Sequence, residues 1–392
     1  MSRRAKLAAP FSLPAILFLT AIFYATFVSR MVLAPLLPIL EIELGLGHGA
    51  ASSLFLALAV GYAVGLLGSG VISARLTHRR TIILSALAVG VTLLFLAGVG
   101  SLSALRMGLA GLGLSAGLYL PSGVATLTEQ VSEPHWGKGL AVHEFAPNLA
   151  YITAPLLAEA LLRFVSWRGV LAVLGIFTIL LGLLFRQWGQ GGAHQGEPLR
   201  PDIIWDLARN PSLRIMAVLF VVATGMTVGV YLMLPLFLVE EIQLGRGLAN
   251  MIIGLSRVSG LVIVFLSGWI TDRLGHRRAL ALYLTVTGVH TFALGFARGL
   301  ILTPILVFFQ AVTSVCFHPA GFALVSFLVV PRIRHLAISL VIVVGFIVGA
   351  GLLPTGIGYF AEVFSFSAAI RIVGVLTLAA VPLLLRVKDP AA

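Results

Sequence analysis

The chain has 392 residues, of which 59% are hydrophobic and only 10% are charged, and its mean hydropathy is +1.07. Such an apolar composition excludes an ordinary soluble globular protein and indicates a chain that is solvated by a bilayer. The formal net charge of +12 does not indicate nucleic acid binding, because the basic residues lie in short loops between apolar runs rather than on a basic domain with interleaved aromatic residues.

Twelve apolar runs follow one another along the chain, each long enough for a helix of roughly 20 residues to cross the hydrocarbon layer. We predict helices near 11–38, 50–73, 81–100, 103–128, 139–162 and 169–186, and then near 214–238, 249–271, 279–297, 303–329, 336–360 and 368–386. The first apolar run, 11–28, is longer than the hydrophobic region of a usual signal peptide, so we predict an uncleaved first helix.

The polar segment 187–213 is the longest interruption and divides the chain into two halves. Its residues 202–209 are predicted to form a short interfacial helix. The predicted fold is an all-α membrane protein with an N-terminal six-helix bundle (1–186), a central loop (187–213) and a C-terminal six-helix bundle (214–392).

An even number of spans places both termini and the central loop on one side of the membrane. That side carries 18 of the 26 lysines and arginines, whereas the other side carries only Arg163, Arg168, Arg246, Arg298 and Arg371. The positive-inside rule therefore predicts that both termini are cytoplasmic in a multi-pass plasma-membrane protein. The sequence contains no glycosylation sequon, which fits a bacterial inner membrane.

Three sequence patterns recur at an offset of 198 residues and indicate an internal duplication. Gly70 and the run His78-Arg79-Arg80 correspond to Gly268 and the run His276-Arg277-Arg278. The other matched pairs are Gly47 and Gly49 with Gly245 and Gly247, and Tyr119-Leu-Pro121-Ser-Gly123 with Phe317-His-Pro319-Ala-Gly321. A pseudo-symmetric pair of bundles suits a transporter whose halves move around a central site.

The loop Gly268-Trp-Ile-Thr-Asp272-Arg273-Leu-Gly275-His-Arg277-Arg278 resembles the signature loop of the major facilitator superfamily, which lies between helices 2 and 3 and again between helices 8 and 9. The resemblance covers essentially the whole chain. It implies that Asp272 forms a latch, favoured by a helix dipole, that closes the cytoplasmic gate in the outward-open state. The gating residues implied in this way are Gly268, Asp272, Arg273, Gly275, Arg277 and Arg278, with Arg75, Arg79 and Arg80 in the first copy.

The first copy departs from the family pattern, since Ala74 replaces the acid and Thr77 replaces the second glycine. The latch is therefore expected to depend mainly on the second half; alternatively, these residues only fix the topology. Arg106, followed by two glycines, resembles the arginine-glycine motif of helix 4 and is assigned to gating. Ala154-Pro155 resembles the Gly-Pro of an antiporter motif, but the alanine weakens an argument for drug/proton antiport.

Ionisable side chains within spans are costly, so each one is a candidate functional residue. Arg30 in helix 1 and Arg257 in helix 8 are the two strongest candidates for binding a substrate, because a guanidinium fork matches a carboxylate or phosphate. Two such arginines from opposite halves would suit an anionic substrate. Alternatively, Arg30 extends to the outer interface and Arg257 pairs with a carboxylate; Gly254 and Gly260 leave room beside Arg257 for a helix or a ligand.

Glu144 begins a polar face on helix 5, which continues at Asn148 and Tyr151. A carboxyl group buried in a span favours its protonated form, so Glu144 is assigned the coupling proton; a permanent salt bridge to an arginine is the alternative. In helix 10, Gln310, Ser314 and His318 share a face. His318 is a candidate because histidine titrates near neutral pH, although a lone histidine is more often a hydrogen-bonded helix contact.

Tyr119 and Phe317 occupy matching positions and are expected to line the cavity. The substrate-binding set is Arg30, Tyr119, Asn148, Tyr151, Arg257, Gln310 and His318. The single cysteine, Cys316, lies inside an apolar run, so neither a disulfide nor a thiolate metal site is available, and no cofactor is predicted.

Together these features predict a monomeric secondary transporter, rather than an enzyme, that moves a small carboxylate-like anion by proton-coupled symport. The alternative is proton-coupled efflux of drugs or amphipathic cations, with Glu144 as the cation site. A membrane-embedded enzyme or a transport-dead sensor fits less well, because the central loop carries no nucleophile–base pair and no signalling tail is recognised.

Overall fold

The computed structural model describes residues 13–196, 201–330 and 333–387, and within these ranges the chain is helical and has no strand. The first half contains α1 (Leu13–Leu44), α2 (His48–Leu76), α3 (His78–Gly98), α4 (Leu102–Gln130), α5 (Trp136–Leu161) and α6 (Trp167–Trp188). The second half contains α7 (Pro211–Glu241), α8 (Arg246–Ser256 continued by Gly260–Leu274), α9 (His276–Leu294), α10 (Gly299–Phe327), α11 (Leu336–Val363) and α12 (Phe366–Arg386).

Nine of these helices in the described ranges are long and apolar enough to cross a membrane. The remaining three, α5, α8 and α9, lie between these helices in chain order and complete the twelve helices of the predicted fold. The predicted short helix between the halves is present as Pro201–Arg209. Of the basic residues used to predict the topology, Arg3, Arg4, Lys6, Arg200, Arg332 and Lys388 lie outside the described residues.

Helix α1 extends to Leu44, beyond the predicted end near residue 38, because its last turn has charged side chains with local partners. Glu41 lies 3.0 Å from Nδ1 of His48. Glu43 accepts a hydrogen bond of 2.6 Å from Nε1 of Trp167 and pairs with Arg168. These interactions stabilise helical turns that have little apolar character.

Helices α4 and α10 are both interrupted at equivalent positions. The break in α4 falls at Leu118, between segments ending at Gly117 and beginning at Tyr119, and α10 breaks between Ser314 and Phe317. Pro121 and Pro319 follow these breaks. A proline removes the hydrogen bond to the carbonyl four residues earlier and displaces that turn, which explains both interruptions.

The same pairs of helices pack closely in both halves, at glycines. A Cβ atom added at Gly90 of α3 would lie 2.6 Å from the carbonyl oxygen of Gly175 in α6. The equivalent pair in the second half is α9 with α12, where a Cβ at Gly288 would lie 3.3 Å from the carbonyl oxygen of Gly374. Small residues allow membrane helices to approach at backbone distance, and these contacts give each half a compact core.

The two signature loops share an unusual backbone conformation. Gly275, after α8, has φ 77° and ψ 153°, and Thr77, after α2, has φ 115° and ψ 157°. This region of backbone space is strained for any residue with a Cβ atom. Thr77 therefore adopts the glycine conformation of the family pattern although it is not a glycine.

We call the face of the bundle that carries the loops at Thr77 and Gly275 the basic face, and the face that carries the loops 45–47, 162–166, 242–245 and 364–365 the opposite face. Segment 189–196 packs against the first signature loop at the basic face, where the backbone N–H of Arg79 donates to the carbonyl of Gly192 at 2.7 Å. Gly192 in turn donates to the carboxylate of Glu129.

The halves contact each other toward the opposite face. Arg246 of α8 and Glu159 of α5 form an ion pair of 3.0 Å, and Asn250 donates to the same carboxylate at 3.2 Å. The backbone N–H of Gly49 donates to Glu362 at 2.9 Å. Within the described ranges, every hydrogen bond between the two halves lies between this face and the middle of the bundle.

Candidate functional site

Arg30 lies in α1 just before the turn at Val32, and only 3% of its surface is exposed. Its guanidinium group stacks on two rings, with the central carbon 4.5 Å from the ring centroid of Phe27 and 4.2 Å from that of Tyr62. Its Nε atom is buried and has no hydrogen-bond partner in the part of the chain that the structure describes. The predicted alternative, extension to the interface, does not fit this burial.

Arg257 lies at the interruption of α8 and is 4% exposed. Its Nη2 donates a hydrogen bond of 2.9 Å to the carbonyl of Thr227, which belongs to the π-helical segment Gly225–Gly229 of α7. Its Nε and Nη1 atoms are buried without a partner among the described residues. The guanidinium stacks on Tyr231 at 4.8 Å and Tyr151 at 5.3 Å.

Tyr151 of α5 connects the two arginines. Arg257 stacks on the Tyr151 ring itself, and Arg30 stacks on Phe27, whose ring contacts that of Tyr151. Its ring contacts Phe27 edge-on at 5.2 Å and Tyr231 at 5.0 Å, and the Tyr231 hydroxyl donates to the Tyr151 carbonyl at 3.1 Å. We call the five residues Arg30, Tyr62, Tyr151, Tyr231 and Arg257 the arginine–tyrosine cluster; they come from five helices and both halves.

The cluster holds two positive charges and no carboxylate. None of the ion pairs formed by the described residues includes Arg30 or Arg257. Stacking on aromatic rings stabilises each guanidinium by about 0.5–2 kcal/mol, whereas an unpaired charge in a low-dielectric interior costs several kcal/mol. Because the two charges are buried at a net cost in free energy, the cluster is suited to binding an anion between the halves.

Room beside Arg257 was predicted from Gly254 and Gly260. The structure shows that a helix fills it at Gly254, where an added Cβ would lie 2.7 Å from the carbonyl oxygen of Ile152 in α5. Gly260 has no such close neighbour, its nearest atom lying 3.9 Å away on Val315. Gly254 therefore brings α8 against α5 of the other half.

Glu144 is more accessible than predicted, with 53% of its side chain exposed. Its carboxylate lies 3.4 Å from Nδ1 of the buried His143 and forms no ion pair with an arginine of the described chain. Asn148 donates to the Glu144 carbonyl at 3.0 Å. Helical spacing places Glu144 on the Tyr151 side of α5, about 10 Å nearer the basic face.

Tyr119 does not join the cluster. It is fully buried in the first half, its hydroxyl donates to the carbonyl of Leu19 at 2.6 Å, and its ring stacks parallel to Phe23 and His143. Its ring and its hydroxyl are engaged within the first bundle, away from the arginine–tyrosine cluster.

The polar residues predicted on one face of α10 separate at the helix break. Nε2 of Gln310 donates to the carbonyl of Met226 at 2.9 Å, and the carbonyl of Ser314 accepts a 2.6 Å hydrogen bond from Thr227. Both residues therefore hold the π-helical segment Gly225–Gly229, in which the Thr227 carbonyl accepts the hydrogen bond from Arg257. His318 lies beyond the break among Phe220, Phe317 and Phe322 and does not reach the cluster.

The residues of the second signature loop lie at the surface of the basic face. Asp272 is exposed and takes part in none of the ion pairs of the described residues, while Arg273 stacks on Trp269 at 4.1 Å. Gly275, Arg277 and Arg278 line a surface pocket with Phe327. In the first copy, Arg75 and Arg80 are exposed and Arg79 donates to the carbonyl of Arg186 at 3.0 Å.

Arg106 lies apart from these loops, toward the opposite face. Its Nε and Nη2 atoms donate to the hydroxyl of Ser53 at 3.1 and 2.7 Å, which ties α4 to α2.

Three aromatic members of the site were missing from the predicted set, namely Phe27, Tyr62 and Tyr231. Phe27 precedes Arg30 by three residues, which is the spacing at which helical side chains meet, so this contact was readable from the sequence. Tyr62 and Tyr231 carry no comparable signal, because each is an isolated tyrosine within an apolar span.

Comparisons with known proteins agree with this architecture. The family model described as Major Facilitator Superfamily matches residues 17–309 and, separately, residues 215–392. None of the curated proteins matches the chain.

Several solved structures share the fold at low sequence identity. A bacterial homolog of the human lysosomal transporter Spinster, in an inward-facing and unoccupied conformation, is 14% identical, with a TM-score of 0.78 and coverage of 96% of both chains. The nucleoside transporter NupG is 14% identical with a TM-score of 0.81, covering 96% of this chain and 100% of the other. A D-xylose-proton symporter is 15% identical with a TM-score of 0.78, covering 96% and 98%.

Proposed function

The chain belongs to the major facilitator superfamily, and from this premise we propose that it is a proton-coupled symporter of a small organic anion, bound between the halves by Arg30 and Arg257. The family identifies a multi-pass membrane transporter rather than an enzyme. We further propose that it functions as a monomer in a bacterial inner membrane with the basic face in the cytoplasm. The observation that carries the proposal is the pair of buried arginines without carboxylate partners.

Binding follows from the charges of the arginine–tyrosine cluster. A carboxylate can accept a hydrogen bond from the free Nε or from the free Nη1 of Arg257, and a second acceptor can reach Arg30. These bonds neutralise charge that is otherwise buried at a cost, so the anion is bound more strongly than in a solvated site. Since the arginines belong to different halves, a bound anion also links the two bundles.

Alternating access is supported by where the halves touch. The Arg246–Glu159 ion pair and the contact between Gly49 and Glu362 close the opposite face. With the basic face in the cytoplasm, this arrangement is an inward-facing state. The exposed, unpaired Asp272 fits a latch at the basic face that is open in this state and closes in the outward-facing one.

We propose that Glu144 carries the coupling proton. Its side chain is 53% exposed, its carboxylate contacts His143, and it lies along the side of α5 that carries Tyr151. Protonation there would remove a negative charge from the approach of the anion. The alternative function, efflux of cations, would make Glu144 the binding group, and the two unpaired arginines nearby argue against it.

The test is the thermal stability of the purified protein with a panel of small carboxylates and lipophilic cations at pH 5.5 and 7.5. A ligand that binds the folded state raises the melting temperature by mass action. Stabilisation by carboxylates should be lost in Arg257→Gln and kept in the control Arg371→Gln, whose guanidinium stacks on Phe296 away from the cluster. Stabilisation by cations alone, lost in Glu144→Gln, would instead establish the efflux function.

A further inference from the structure

We infer that the substrate of the arginine–tyrosine cluster is a dianion with two separate acidic groups, of which a short dicarboxylate is the simplest, and that zwitterions and monoanions are discriminated against. The inference rests on the proposed function and narrows it from anions in general to one charge class. It depends on the two uncompensated guanidinium charges and on the hydrogen-bond donors of the cluster that have no partner.

Charge balance favours two negative charges on the ligand. Arg30 and Arg257 are both nine-tenths or more buried, and neither has an ion-pair partner in the described ranges of the chain. A monoanion would leave one guanidinium uncompensated in a low-dielectric site, whereas a dianion leaves the loaded cluster neutral. When the loaded cluster is neutral, the transporter can also switch its open side from one face to the other at the lowest electrostatic cost.

The two guanidinium groups are stacked on different rings, which favours two acidic groups rather than one. Arg30 is held by Phe27 and Tyr62, and Arg257 is held by Tyr151 and Tyr231. Aromatic rings on each guanidinium fix its plane and leave its edge for hydrogen bonding. Two carboxylates on one carbon chain can each accept a hydrogen bond at one such edge, and hydrogen bonds between two charged groups are about twice as strong as neutral ones.

The cluster offers donors and almost no acceptors. The Nε of Arg30 and the Nε and Nη1 of Arg257 lack partners, and the hydroxyl groups of Tyr62 and Tyr151 form no hydrogen bond within the described residues. Among the side chains of the cluster, an ammonium group would find these hydroxyl oxygens as acceptors, and it would be repelled by two guanidinium charges. In a zwitterion, the repulsion of the ammonium group therefore offsets the binding free energy that the carboxylate contributes. Specificity of this kind depends on charge repulsion against the wrong ligand.

The experiment compares three ligands with one four-carbon skeleton by isothermal titration calorimetry at pH 7.5: succinate, butyrate and 4-aminobutyrate. Succinate should bind at least tenfold more tightly than butyrate, and 4-aminobutyrate should give no measurable heat. Dicarboxylates of two to six carbons and their matched monocarboxylates extend the comparison, so that chain length is not confused with charge.

A second variant separates this inference from the proposed function. In Arg30→Gln, the preference for dicarboxylate over monocarboxylate should fall to about one, while the monocarboxylate affinity changes little. Equal affinity for both classes in the unmodified protein would overturn the dianion inference and leave the proposed function intact. If no carboxylate of either class binds, or if Arg257→Gln binds them unchanged, both fail.

Discussion

The carboxylate of Glu159 is expected to hold the opposite face closed, because it is the acceptor of three hydrogen bonds that cross between the halves. Arg246 donates from Nε at 3.0 Å and from Nη2 at 3.2 Å, and Asn250 donates at 3.2 Å. The substitution Glu159→Gln keeps the shape of the side chain and one carbonyl oxygen but removes the charge. It should shift the protein toward states in which this face is open.

The magnitude follows from how exposed the pair is. The side chains of Arg246 and Glu159 are 37% and 21% exposed, so solvent screens part of their attraction. The free energy that the pair contributes to the closed state should lie between that of a fully exposed ion pair and that of a charge-assisted hydrogen bond. We therefore expect the substitution to destabilise the closed state by about 1 kcal/mol, which raises the open population about fivefold. An effect of this size is well within the resolution of a labelling experiment.

The assay is the rate at which a maleimide modifies Ser52→Cys in a Cys316→Ser background. Ser52 is fully buried at the interface, where its carbonyl accepts a hydrogen bond from Thr355 of the other half, and Cys316 is the only native cysteine. When opening is fast relative to modification, the rate reports the open population. Labelling should be about fivefold faster in Glu159→Gln.

Glu43→Gln is the matched control, because Glu43 also forms an ion pair at the opposite face but with Arg168, within the first half. Its loss should leave the labelling rate of Ser52→Cys unchanged. An unchanged rate in Glu159→Gln, or an equal acceleration in Glu43→Gln, would refute the view that contacts between the halves keep this face closed.

Three further predictions concern the packing, the signature loop and the coupling. Gly61→Ala should lower the melting temperature by several degrees, since its Cβ would lie 2.0 Å from the carbonyl oxygen of Ala110, whereas Gly68→Ala on the same helix meets nothing within 4 Å and should be neutral or stabilising. Thr77→Gly and Thr77→Ala both lose the hydroxyl that accepts a hydrogen bond from the Arg80 N–H, but only glycine relieves backbone strain of about 1–3 kcal/mol. The glycine variant should therefore melt at a higher temperature than the alanine variant, which should be less stable than the unmodified protein; a stabilising alanine would contradict this. Glu144→Gln should abolish uptake driven by a pH gradient in proteoliposomes but retain exchange of labelled substrate across the membrane, and full gradient-driven uptake by this variant would disprove the coupling role.

Most of the fold was predictable, because hydropathy alone locates membrane spans when the bilayer requires about 20 apolar residues for each helix. The twelve helices and the family resemblance are confirmed. Helix ends were less predictable where charged residues have tertiary partners. Glu41 and Glu43 lie outside any apolar window, yet they extend α1 through contacts with His48, Trp167 and Arg168.

For the candidate site, the sequence singles out side chains that are costly to bury in a membrane span, but not the aromatic side chains that surround them. Arg30 and Arg257 stand out in apolar spans, and ring contacts join both to Tyr151, directly for Arg257 and through Phe27 for Arg30. Tyr231 is separated from Tyr151 by 80 residues, and no local pattern encodes that pairing. Likewise, no local pattern encodes the hydrogen bond between Tyr119 and Leu19, which are 100 residues apart.

The central claim is that the two buried arginines are present to bind an anion and not to stabilise the fold. The most direct test is the melting temperature of the double variant Arg30→Gln/Arg257→Gln, measured with and without the carboxylate that stabilises the unmodified protein. Removing two unpaired buried charges should raise the melting temperature without ligand and should abolish the ligand-induced rise. A double variant that melts at a lower temperature than the unmodified protein and is still stabilised by the carboxylate would contradict the account.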